Sequence, residues 1–207
     1  GVSRAAPLVK GQVMATMRGR SAGVEVYGIA LEDLLAIPRI AVSDRARGDI
    51  RRFEQGIAIG EGVARELNIT LGERIRIISP EGAQTAFGTS PRINTYEVVY
   101  IFSAGRHDID RTRVYLPFAE AQSFFNRDGV ADEIEVMLDQ PETVEDRVYD
   151  LMRAAGERAM IWTWRDSAGS FLRALDIEDN VMFIILSILV LIAAMNIISG
   201  LIMLVKN

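Results

Sequence analysis

The sequence contains no cysteine, one histidine and, among its 23 basic residues, only two lysines, Lys10 and Lys206. The missing thiols exclude a disulfide framework, a thiolate nucleophile and a metal or iron–sulfur centre held by cysteine. There is no G-x-S-x-G elbow and no G-x-x-x-x-G-K-[ST] phosphate loop. Net positive charge is also absent: the formal charge is −5 over 207 residues, which disfavours nucleic acid as a partner. Disorder is excluded, because 49% of the residues are hydrophobic. The arginine excess is scattered and reads as genome composition rather than chemistry.

One stretch lacks charge altogether. Val181–Val205 is 25 residues without Asp, Glu, Lys or Arg. At 1.5 Å per residue it makes about 37 Å of helix, enough to cross a ~30 Å hydrocarbon core with some tilt. Asp176, Glu178 and Asp179 precede it and Lys206 follows, so the positive-inside rule puts Lys206 in the cytoplasm and residues 1–180 outside. All 28 carboxylates and 22 of the 23 basic residues precede the run, leaving that part at a formal −6. Ala193, Asn196, Ser199, Gly200 and Met203 recur at helical spacing and share one face. Small residues around an amide suit contact with sister helices, since Asn is unfavourable against lipid; the plainer reading is a single-pass anchor with an incidental amide. The chain opens on Gly1-Val2-Ser3 without a methionine and stops just past the apolar run, as expected of a piece of a longer protein.

The remainder alternates short strand and helix signals. Leu8–Met17 and Val24–Ala30 read as strands joined by a turn over 18–23, and Leu31–Ile37 as a helical turn stopped by Pro38. A strand over 56–60, the helix Glu61–Leu67 stopped by Asn68, and the strand Arg74–Ser79 follow; Ile75 and Ile77 point one way and Arg74 and Arg76 the other. Tyr96–Phe102, Val114–Leu116, Glu133–Leu138 and Met160–Thr163 read as strands, and Phe118–Phe125 and Val144–Ala155 as helices. Asp166 caps a helix that continues toward the apolar run. Without regular βαβ alternation, the pattern is α+β.

Residues 80–95 stand out. Their flanks read as paired antiparallel strands, yet the 16 residues between exceed the two to five of a tight hairpin. Pro80, Gly82, Gly88 and Pro91 argue against continuous strand, and Phe87 lies among small residues near the middle. Long loops of this kind often bind partners; the plainer reading is an unstructured hairpin tip. Arg76 and Arg92 stand near the two roots of the excursion and are expected to form a small basic platform, or else to be solvated surface arginines. His107, in Arg106-His107-Asp108-Ile109-Asp110, fits a polar turn better than a metal site, and Glu133 with Glu135 fits ordinary surface. No catalytic residue, metal or cofactor is expected.

Several segments carry a resemblance: the run 196–206 (NIISGLIMLVK), Ile59-Gly60-Glu61-Gly62-Val63-Ala64, the Leu71-Gly72-Glu73 turn, Leu116-Pro117-Phe118-Ala119-Glu120-Ala121 and Trp162-Thr163-Trp164-Arg165. Together they resemble the transmembrane subunits of the lipoprotein-releasing ABC transporter, the LolC/LolE/LolF family, and more broadly the MacB/FtsX-type permeases. The resemblance implies a fragment from just after a first membrane helix to the end of a second, in the bacterial inner membrane. It implies a MacB-like periplasmic core domain: a membrane-proximal α+β subdomain over 1–47 and 139–175, an inserted β-rich subdomain over 48–138, and a transmembrane helix over 181–205. It places at 80–95 a hook that captures the periplasmic chaperone LolA, with Ala86, Phe87, Gly88, Thr89, Ser90 and Pro91 at its centre and Arg76 and Arg92 as a basic pad. The implied partners are a cytoplasmic ABC ATPase, a second permease subunit, LolA, the lipoprotein and membrane lipid. ATP hydrolysis then belongs to the separate ATPase, and this chain is not an enzyme. The alternatives are a related permease for efflux or cell-wall hydrolase regulation, and an extracytoplasmic sensor domain.

Overall fold

The computed structural model describes residues 1–85, 88–156 and 159–206, with side chains throughout these except at 81–89, 170–173, 176 and 204–206. It divides into two units, 1–139 and 140–207.

The first unit is built on one long strand. β1 (Val2–Met17) turns at Arg18 and Gly19, both in the left-handed region (φ 46° and 80°), into β2 (Arg20–Ile29). This conformation at both central residues is what a two-residue hairpin turn requires. The wider turn expected over 18–23 is therefore corrected: Ser21, Ala22 and Gly23 already pair with Thr16, Ala15 and Met14. The first half of β1 pairs with β8 (Glu133–Leu138).

The remaining strands close a ring. β2 runs parallel to β7 (Arg113–Pro117), and β7 is antiparallel to β4 (Ile57–Gly60). β4 is parallel to β6 (Gly88–Phe102), β6 antiparallel to β5 (Arg74–Thr85), and β5 returns to β1 through Met14↔Ile78, Ala15↔Ile77 and Thr16↔Arg76. The two-residue β3 (Arg47–Gly48) adds to β6. Residues 1–47 and 48–138, expected in separate subdomains, thus contribute strands to one closed sheet.

Alternation along these strands sorts the apolar side chains onto two faces. Val9, Val13, Ile57, Ile75, Ile77 and Leu116 point inward, where Val63 and Leu67 of α3 (Glu61–Leu67) and Phe124 and Phe125 of α5 (Phe118–Phe125) complete the cluster. On part of the outer face, Tyr27, Tyr100, Phe102 and Tyr115 are covered by Leu34 of α1 (Leu31–Leu35), Ile40 of α2 (Pro38–Ala41) and Phe53 of the tight helical turn Ile50–Gln55. Asn68 and Asn126 end α3 and α5 in the left-handed conformation, which Asn tolerates.

In the second unit, α6 (Val144–Ala155) precedes α7, a continuous helix from Trp164 to Lys206. Its 43 residues make about 64 Å. Met160–Thr163 is not the expected strand: among the described residues nothing pairs with it, and Thr163 instead opens α7. The Thr163 hydroxyl and N–H both donate to Asp166 Oδ2 (2.7 and 2.8 Å), a reciprocal cap that holds the Asp166 carboxyl below its usual pKa. Trp164 Nε1 donates to the Pro141 carbonyl (3.0 Å), and Arg165 pairs with Glu145 (3.2 Å).

The Gly60-Glu61-Gly62 motif has a packing cause. α4 (His107–Thr112) crosses it so closely that a Cβ at Gly60 would meet the Asp110 carbonyl oxygen at 2.2 Å, and one at Gly62 the Arg111 Cα at 2.8 Å. Backbone cannot yield as a side-chain tip can. Gly60→Ala is expected to cost about 2–3 kcal/mol and lower the thermal midpoint. Gly23→Ala, with nothing within 4 Å of the added carbon, is expected to leave it unchanged; calorimetry of the two variants checks the contrast.

Candidate functional site

The described part of the excursion over 80–95 is a paired ribbon rather than a loop. β5 and β6 pair from Arg74↔Glu97 to Ser79↔Arg92, shift register, and resume at Ala83↔Ser90, Gln84↔Thr89 and Thr85↔Gly88. The shift places two extra residues on β5. Pro80 and Pro91 lie within this irregularity, where a missing N–H removes no ladder bond, so the prolines do not stop the strands. From Ser79 to Thr85 the ribbon runs about 20 Å at 3.3 Å per residue. Ala86 and Phe87 lie outside the described residues. Gly88 and Thr89 are placed by their backbone in β6, and Ser90 and Pro91 are exposed at its surface.

The root of the ribbon is fastened to α5. Arg92 Nη1 donates to the carbonyls of Ser123 and Phe124 (the latter at 3.0 Å), in the last turn of the helix. A guanidinium there satisfies otherwise unpaired carbonyls and complements the negative end of the helix dipole. Two and four residues on, Asn94 Nδ2 donates to the Tyr96 hydroxyl (3.0 Å), which donates to Glu120 Oε1 (2.7 Å). Burial first, then the bond to Glu120, raises the Tyr96 pKa, so the phenol remains a proton donor across the physiological range. The Tyr96 ring meets Phe124 edge-on, with centroids 6.4 Å apart.

Arg76 stands on the opposite face. It faces Thr16 and Thr95 across the ladders, is exposed, and makes no ion pair with a described residue. The structure therefore does not bring Arg76 and Arg92 onto one platform: Arg92 is committed to a helix end, and Arg76 remains available to solvent. Beside Arg76 lies a groove of about 700 Å³ lined by Gln12, Met14, Gly23, Ile78, Pro80 and Pro91. Sequence reasoning missed it, although the Ile77-Ile78 doublet carried the signal: Ile78 falls on the same side as Arg74 and Arg76.

The other chemical candidates have structural partners. His107 begins α4, rather than lying in a turn, and Asp110 accepts from Ala104 N (2.6 Å). Glu133 pairs with Lys10 (2.6 Å) and Glu135 with Arg4. Among the described residues no group of three or more His, Asp or Glu is placed to hold a metal.

In α7, Ile177–Met203 is long and apolar enough to cross a membrane, and none of that window is buried. The helix is unbroken through Ala193, Asn196, Ser199, Gly200 and Met203, so these five fall within an arc of about 120°. All five are exposed.

Residues 2–151 match the family of MacB-like periplasmic core domains. The whole chain aligns with the lipoprotein-releasing system transmembrane protein LolC of Neisseria meningitidis serogroup B at 27% identity, covering 51% of that protein. It aligns with LolE of Haemophilus influenzae at 28% identity over 74% of this chain and 37% of that protein. The chain thus spans about half the length of the LolC relatives it matches. Among solved structures, the periplasmic region of MacB from Actinobacillus actinomycetemcomitans is similar with a TM-score of 0.46 at 12% identity, covering 74% of this chain and 67% of that one.

The anchoring of the ribbon yields a direct expectation. Arg92→Gln removes the helix-end contacts and is expected to cost about 1–2 kcal/mol, and Tyr96→Phe about 1 kcal/mol. Arg76→Gln is expected to change stability by less than about 0.5 kcal/mol. Urea-unfolding midpoints of the three variants test this division of roles.

Proposed function

The chain belongs to the family of MacB-like periplasmic core domains, and from that membership we propose that it forms part of a permease subunit of a lipoprotein-releasing ABC transporter. Similarity to LolC over the whole of this chain supports the assignment. The observation that carries it is the β5–β6 ribbon, which extends past Ser79 from a root bonded to α5 and is suited to present its tip to a partner.

In this reading α7 crosses the inner membrane, with residues 1–180 in the periplasm and Lys206 on the cytoplasmic side. A separate cytoplasmic ATPase hydrolyses ATP and moves the membrane helices. A continuous helix of 43 residues suits transmission of that movement, since it has no break at which bending would absorb it. The Ala193–Asn196–Ser199–Gly200–Met203 face meets helices of a second permease subunit, with the lipoprotein held between the two subunits. The released lipoprotein passes to LolA docked on the hook formed by Ala86, Phe87, Gly88, Thr89, Ser90 and Pro91.

Phe87 supplies the apolar anchor of that contact and Arg76 its electrostatic orientation. Arg92 acts indirectly, by holding the root on α5. The chemistry is mechanical rather than catalytic for this chain. Titration of the full-length permease complex with LolA tests the reading: Phe87→Asp is expected to weaken binding at least about tenfold. Unchanged LolA affinity would remove the hook from the mechanism.

A further inference from the structure

β8 carries the chain out of the first unit, since Gln140 opens the second. Packing gives this strand little support. None of its six residues is buried, and none belongs to the inner or the outer apolar cluster. Among the described residues it pairs with β1 alone, from Val2↔Leu138 to Leu8↔Glu133. A strand that buries no apolar side chain gains little from the hydrophobic effect, so its attachment needs another source.

Charge supplies it. Lys10 pairs with Glu133 (2.6 Å), and Asp132, just before the strand, pairs with Arg127 and accepts from the Lys10 N–H (2.7 Å). Further along, Arg4 lies opposite Met137 in the ladder and reaches diagonally to Glu135 through Nη2. Its side chain is only 9% exposed. Nη1 donates to the Asp33 carbonyl (3.2 Å) and lies 3.7 Å from Asp33 Oδ1. Asp33 belongs to α1, whose Leu34 is fully buried in the outer cluster. One guanidinium therefore joins β8, β1 and a helix that covers the ring. Its Nε is buried with no hydrogen-bond partner among the described residues. Burying a guanidinium and leaving one N–H unbonded is unfavourable, so stability alone is a poor reason for an arginine here.

We propose that Arg4 is a positioning residue for force transfer: it clamps β8 to β1 and α1, so that movement arriving from α7 displaces the ring instead of peeling the strand away. The covalent path from α7 to the ring runs through β8. Without apolar burial, the β1–β8 ladder has little besides its main-chain bonds to resist separation, and charge-assisted bonds from Arg4 reinforce it within its span. Lys10 and Arg127 secure the start of β8, while Arg4 acts nearer the end that leads to Gln140. Glu135 anchors the clamp on the strand and Asp33 anchors it on the helix. The inference rests on the reading of α7 as the element that carries movement from the membrane, and adds the residue that passes it on.

The test uses the transporter assembled from full-length subunits in proteoliposomes, with a lipoprotein substrate and its periplasmic carrier. It reads lipoprotein released per ATP hydrolysed, well below the thermal midpoint of every variant so that unfolding does not enter, with carrier affinity measured alongside. Arg4→Gln is expected to lower the ratio at least about fivefold while carrier affinity stays as in wild type. Ala5 and Val136 are exposed and directly opposed in the ladder, so Ala5→Cys/Val136→Cys offers a covalent clamp in place of the ionic one. Once oxidised, this pair is expected to restore the ratio in the Arg4→Gln background, and its reduction to abolish the rescue. A ratio unchanged by Arg4→Gln, or a formed disulfide that fails to restore it, would overturn the inference and leave the permease reading in place. A disulfide that blocks release when Arg4 is intact would also overturn it, because β8 would then have to leave β1. A loss of carrier affinity equal to the fall in the ratio would assign Arg4 to docking and overturn it as well. Wild-type protein that releases no lipoprotein on ATP hydrolysis would bring down both readings.

Discussion

Three residue pairs, Met14↔Ile78, Ala15↔Ile77 and Thr16↔Arg76, turn an open sheet into a ring. They join residues about sixty apart in sequence, a closure that local propensity cannot drive and whose chain-entropy cost must be offset elsewhere. The offset is apolar: Ala15 and Ile77 are fully buried in the inner cluster, alongside Ile75 and Val9. Closure removes free edges from β1 and β5 along this stretch. It also fixes the direction in which β5 and β6 leave the sheet, and it sets the outer rows that hold Arg76 and Met14 in register.

The ribbon inherits this rigidity at its root and then departs from the core. Arg92 and Tyr96 tie it to α5, so the described base is held by side chains as well as by its ladder. The register shift beside Pro80 and Pro91 separates that base from the outer pairs. Such a division suits an element that keeps its direction while its tip engages something else. The second unit follows another logic: a capped helix start at Thr163 and Asp166, then unbroken helix through a stretch with no buried residues.

Much of this was legible in the sequence wherever the signal was local. Glu61–Leu67, Phe118–Phe125 and Val144–Ala155 form the helices that their periodicity and end residues indicate, and Glu133–Leu138 is the strand read from its alternation. The alternation of Arg74, Ile75, Arg76 and Ile77 also gave the faces of β5. Non-local effects were not legible. Nothing near Met14 announces Ile78, and nothing near Arg92 announces the end of α5. Prolines at 80 and 91 suggested a break because their tolerance at a bulge depends on the partner strand. Thr163 looked like strand because its capping bond to Asp166 leaves no periodic trace. The apolar run past Asn180 was the plainest feature, since twenty-five uncharged residues need no partner to be recognised.

The ring closure is the claim on which the ribbon and the outer face both depend, and the lack of native cysteine makes it directly testable. Thr16→Cys with Arg76→Cys places two thiols on directly opposed residues, within the span a disulfide bridges. Met14→Cys with Arg76→Cys places them diagonally, roughly 7–8 Å apart between Cα atoms, beyond that span. Under mild oxidation of the folded protein, the first pair is predicted to form an intramolecular disulfide and the second to stay reduced. A first pair that stays reduced, or a diagonal pair that bridges equally fast, would contradict the closed sheet.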